Sequence, residues 1–118
     1  MSYCISFRVK LEGVDEFIDV GECSANITWN VRKIIELSTG LPWKSEENIG
    51  LCKDVIPCIE KGLYELKTNS VLYKKYESPN GWGMVNGTIN FFGTILEEWD
   101  KFKYFHPELA EVATFWIY

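Results

Sequence analysis

The sequence predicts an α+β domain: a three-stranded antiparallel sheet, built from an N-terminal hairpin and a C-terminal strand, with about three helices packed on one face. Three observations carry that prediction. Tyr3, Ile5, Phe7, Val9 and Leu11 alternate with Cys4, Ser6, Arg8 and Lys10, the two-residue period of a half-buried strand. Val85, Ile89, Phe92, Leu96, Trp99 and Phe102 step by four and three, the period of an amphipathic helix. The run from Val112 to Tyr118 is β-branched and aromatic, which suits a closing strand.

The remaining elements follow in order. Residues 12–15 read as a turn, and Glu16 to Cys23 returns as the second strand of the hairpin. Ser24 to Thr28 is rich in capping residues, so a first helix is expected from Thr28 to Thr39, stopped by Gly40. Leu41-Pro42-Trp43 turns the chain into a polar loop over residues 44–50. Val55, Ile56, Ile59, Leu63 and Leu66 mark a second helix. Pro57 conflicts with it unless the helix starts near Lys53 or Asp54, which makes Asp54 the expected N-cap. Asn69 and Ser70 break this helix before a short helical turn over Val71–Tyr76. Ser78 to Gly83 then forms a tight turn, and a third helix runs over about residues 84–104, ended by Pro107. Gly87 and Gly93 weaken that helix and are expected to admit a close neighbour.

One domain spans residues 1–118, since this length supplies one core and no more. The apolar fraction of 47% excludes disorder. A net charge of −5 argues against direct nucleic-acid binding, which requires cations to neutralise phosphates. Five acidic and two basic residues fall within 81–118, so the acidity gathers in the last third. It reads as a solvated helix face or as an acidic docking patch. No apolar run approaches a membrane span, and the N-terminus has no signal-peptide core; cytoplasmic residence with reduced thiols is the expectation. Cys4, Cys23, Cys52 and Cys58 form no C-x2-C pair, and one His106 does not complete a zinc set, so no metal or cofactor is expected.

No acid–base set converges in the sequence, and the chain is expected not to be an enzyme. Glu97 and Glu98 are adjacent and diverge by about 100° on a helix, while His106 suits the C-terminal end of the helix dipole. Two binding corners remain. Thr28, Trp29 and Asn30 stand at the expected start of the first helix, where free amides and the dipole favour an anion. Asn80, Trp82 and Gly83 stand at the start of the third, with an added stacking surface. If the corners meet, they form a pocket for a nucleotide-like ligand; otherwise Thr28 and Asn30 cap backbone and Trp82 packs under its turn. An alternative, partner-docking surface comprises Glu97, Glu98, Trp99 and Asp100.

Several segments bear a resemblance. Ile27-Thr28-Trp29-Asn30-Val31, Leu41-Pro42-Trp43, Asp54 to Gly62, and above all Tyr73-Lys74-Lys75-Tyr76-Glu77-Ser78-Pro79-Asn80-Gly81-Trp82-Gly83 resemble a family of small phage and prophage accessory proteins of Gram-positive bacteria. The likeness runs from residue 5 to 100, and the C-terminal aromatic strand matches loosely. The resemblance implies an accessory protein in the bacterial host cytoplasm, outside virion assembly and replication, and a counter-defence role. Two mechanisms fit that role: a sponge that sequesters a nucleotide-derived immune signal, and an anti-CRISPR-like inhibitor that docks on a host defence protein. Sequestration is the first expectation. A homodimer through the C-terminal strand is also expected, because a bare edge rich in Phe115, Trp116, Ile117 and Tyr118 invites pairing.

Overall fold

The computed structural model describes residues 2–10, 12–13, 15–44, 47–77 and 84–118. Mixed α and β structure is present, with an antiparallel sheet as its spine. Strand β1 (Ser2–Lys10) pairs with β2 (Phe17–Thr28) as the expected hairpin. β4 (Thr114–Ile117) lies against the other edge of β1, with Ile5 opposite Ile117 and Arg8 opposite Thr114. A further strand, β3 (Glu47–Leu51), pairs with β4, and the order among the described residues is β2-β1-β4-β3.

Strand β3 corrects the expected polar loop. Its five residues carry little hydrophobic alternation, and they hold to the sheet by backbone pairing to β4 at Glu47, Asn48 and Leu51. The ladder breaks between Asn48 and Leu51. There Gly50 takes φ 135°, and its amide donates to Asn48 Oδ1 at 2.9 Å. β4 is therefore an interior strand. The dimer expected through the C-terminal strand has no free edge there, because both sides of β4 are already paired.

Strand β2 is longer than its apolar run suggests. Ser24 to Thr28 continue the strand, with Cys4 opposite Asn26 and Ser2 opposite Thr28. Cys23, Ala25 and Ile27 alternate inward and are buried, and that burial outweighs the capping preference of the polar residues between them. A one-turn 3-10 segment (Trp29–Val31) follows, and α1 (Arg32–Thr39) starts four residues later than expected. Gly40 ends α1 as anticipated, at φ 76° with its amide on Glu36 O.

Helix α2 (Cys52–Thr68) begins directly after β3, where the Cys52 amide donates to Ala113 O at 2.8 Å. Its N-cap is Leu51 and not Asp54, which sits in the first turn without a capping bond. Pro57 consequently lies in the second turn and costs the Lys53 carbonyl its intrahelical donor. α3 (Ser70–Lys74) is short, and α4 (Val85–Phe105) matches the expected third helix within one residue at each end. α5 (Pro107–Ala110) is a single turn.

The helices cover the face that carries Tyr3, Ile5, Phe7 and Val9, all at 3% exposure or less. Phe7 meets Trp99 at 5.2 Å and Phe102 at 5.6 Å, which fixes α4 across the sheet. On the opposite face Arg8 lies over the rings of Trp116 and Tyr118 at 4.7 and 5.6 Å, and its Nε donates to Ser6 Oγ at 2.8 Å. Ser6 is fully buried under this cover. The aromatic strand end thus finds its partner within the chain.

The four thiols divide by burial. Burial pushes Cys52 up to about 12 and is also the first cause raising Cys23 to about 11, while Cys4 and Cys58 are half-buried. Iodoacetamide at mildly alkaline pH is expected to modify Cys4 and Cys58 in the native protein, and Cys23 and Cys52 only after denaturation, as read by peptide mass mapping. Raised thiol values stabilise the fold below the unfolded value of 9.0 and lose that contribution as pH climbs towards 11 and 12. The melting temperature is expected to fall over that alkaline window, and less steeply in Cys52→Ala.

Candidate functional site

The corner at the end of β2 is built from the register of the hairpin. Pairing of Tyr3 with Ile27 places the Tyr3 ring beneath the chain as it leaves the sheet. Trp29 stacks on that ring at 5.9 Å with planes 28° apart, and remains 39% exposed. Beneath it Tyr3 meets the edge of Trp43 at 6.2 Å, and Trp43 meets Phe91 and Phe115 at 6.0 and 5.9 Å. A continuous aromatic column therefore runs from the exposed indole into the core.

Charge surrounds the mouth of this column. Arg32, in the first turn of α1, pairs with Glu36 at 3.0 Å. The other oxygen of Glu36 accepts from the Trp43 amide at 3.5 Å, so one carboxylate ties α1 to the loop beyond it. Burial raises the Tyr3 phenol above its ordinary value, with Arg32 opposing and Glu36 adding to the effect. Neither Thr28 nor Val31 supplies a side-chain cap, and the Arg32 amide donates to Trp29 O, so the 3-10 turn occupies the first donor of α1. The corner thus offers an aromatic face and a guanidinium.

Thr28, Trp29 and Asn30 are brought together here, although Thr28 belongs to β2 and caps nothing. Asn80, Trp82 and Gly83 lie outside the described residues. The four residues of the docking surface do not share a face. Trp99 is 5% exposed and packs between Phe7 and Phe102, because successive helix positions diverge by about 100°. Glu97 is exposed and pairs with Lys101 at 3.7 Å. Glu98 is half-buried and accepts from Ser24 Oγ at 3.4 Å, and Asp100 is exposed beside Lys103 and Glu111. Trp99 is a core residue and not part of an exposed aromatic patch.

Sequence reasoning missed Tyr3, Arg32, Glu36 and Trp43 as members of the corner. The four-residue spacing of Arg32 and Glu36 was a usable signal. The placement of Tyr3 depends on strand register and that of Trp43 on how a loop packs into the core, and no local pattern specifies either. Among the described residues no group of three or more His, Cys, Asp or Glu could hold a metal ion, and no helix is long and apolar enough to cross a membrane. His106 ends α4, with its amide on Phe102 O at 2.8 Å and its ring 5.4 Å from that of Phe102. No family model, curated protein or solved structure matches the chain.

Proposed function

We propose that the chain is a non-enzymatic phage counter-defence protein that binds and sequesters a nucleotide-derived immune signal of its host. Thr28, Trp29 and Asn30 form the described side of the site, and Asn80, Trp82 and Gly83, outside the described residues, are assigned to it from the sequence alone. One observation carries the reading: an exposed indole braced on the buried Tyr3 ring, one helical turn from Arg32. An aromatic face beside a guanidinium suits a base joined to a phosphate. The phage setting rests on the resemblance of the Thr28 and Trp82 segments.

Thermal-shift measurements against cyclic nucleotides and ADP-ribose derivatives test the proposal. A true ligand at a hundredfold excess over its Kd stabilises by about 2.7 kcal/mol. Trp29→Ala is expected to abolish that shift while costing the unliganded fold about 0.5–1.5 kcal/mol through the lost ring pair. Trp82→Ala is expected to abolish it too. If no nucleotide raises the melting temperature and a host protein co-purifies, sequestration fails. A protein–protein inhibitor is then the reading that stands, favoured by Glu97 and Asp100 standing exposed on α4.

A further inference from the structure

Phe105 stands 71% exposed at the end of α4, beside Tyr104 at 80%, their rings edge to face at 5.1 Å. The two adjacent rings make one exposed aromatic patch at the end of the helix. A hollow lies on each side of Phe105. One, of about 220 Å³, is lined by Phe7, Val20 and Phe102 with Glu98 and Lys101 on its rim. The other, of about 280 Å³, runs along Pro107, Glu108 and Leu109. Knob and hole therefore occupy one patch.

We propose that this ridge is a self-association surface and that its occupant is a second copy of the chain, related by a two-fold axis beside Phe105. Each Phe105 sits in the other copy's hollow along Pro107–Leu109. A two-fold interface requires a patch that complements itself, and a ridge flanked by hollows does so. Charge complementarity supplies the register. Lys101 precedes Phe105 by one helical turn and shares its face, since both line the same hollow. Seating Phe105 against the partner's α5 carries Lys101 to the partner's Glu108, and symmetry repeats the pair. The present partner of Lys101 is Glu97 at 3.7 Å, an exposed pair that is readily exchanged.

Sedimentation equilibrium on the full chain tests the proposal. The mass is expected to rise with concentration from 13.7 kDa towards twice that value. Phe105→Asp is expected to stay at the one-chain mass with an unchanged circular dichroism spectrum, since the side chain supports little of the fold. Lys101→Glu weakens association several-fold, and adding Glu108→Lys restores it. A one-chain mass at every concentration overturns the proposal, as does Phe105→Asp associating like the unmodified chain or a double exchange that restores nothing. A one-chain mass together with binding to phosphatidylglycerol vesicles also overturns it and assigns the ridge to a lipid surface.

Discussion

Replacing Trp43 with Ala is expected to be the most damaging single substitution in the molecule, at about 3–5 kcal/mol. Trp43 is fully buried, although it lies in the loop between α1 and β3 and not in a regular element. Its ring touches Tyr3 of β1, Phe91 of α4 and Phe115 of β4, so a truncation opens a cavity where three elements converge. A domain of this kind has a total stability of about 5–15 kcal/mol, and the loss would consume a large part of it. The indole also carries a penalty, because Nε1 is buried without an acceptor among the described residues. An unsatisfied buried donor costs about 1–3 kcal/mol. Trp43→Phe removes that donor and keeps most of the ring, so its cost is expected to be well below that of Trp43→Ala. Urea melts followed by circular dichroism separate the cases. A loss under about 1 kcal/mol for Trp43→Ala would show that the loop is not a plug for the core.

The parts of this fold that were legible in the sequence are those in which local preference and burial agree. β1 alternates without interruption, and the α4 stripe holds its period over 21 residues, so both were read within a residue or two. The errors arose where a polar segment is ordered by a distant partner. Ser24 to Thr28 looks like a capping sequence, yet pairing with Ser2 to Cys4 extends β2 through it. Glu47 to Leu51 looks like a loop, yet β4 supplies its hydrogen bonds. Interior placement of β4 followed from the same missed strand and removed the basis for a dimer at the C-terminus. The candidate corner was half legible: Thr28, Trp29 and Asn30 were found as neighbours in sequence, while Tyr3 beneath them comes from register. Trp99 was misplaced for a simpler reason. It occupies the core stripe of α4, and its acidic sequence neighbours point elsewhere.

The same helices give a pair of glycine substitutions with opposite expected signs. Gly87 and Gly93 in α4 looked like the sites of close approach, but a Cβ at either meets nothing within 4 Å. Helix propensity is then the only term left. Gly93→Ala is expected to stabilise the protein by up to about 1 kcal/mol. Gly62 in α2 is the true point of contact. A Cβ there would stand 2.6 Å from Thr39 Cγ2 and 3.0 Å from Phe92 Cε2. The same propensity gain of about 1 kcal/mol applies, so the sign depends on whether these neighbours can move. Thr39 Oγ1 donates to Ile35 O at 2.7 Å and accepts from the Leu41 amide at 3.1 Å, which locks its rotamer. Phe92 is fully buried, and the close packing of a protein interior limits its retreat. Overpacking of a rigid contact costs about 1–3 kcal/mol, and a bulkier residue sits at the upper end of that range. Gly62→Ala is therefore expected to be net destabilising, and Gly62→Val more so because its added branches deepen the clash. Thr39→Ser removes the offending methyl but keeps the hydroxyl and its bonds. In that background Gly62→Ala should recover much of its loss. If it does not, the Phe92 contact, and not Thr39, sets the separation of α1, α2 and α4.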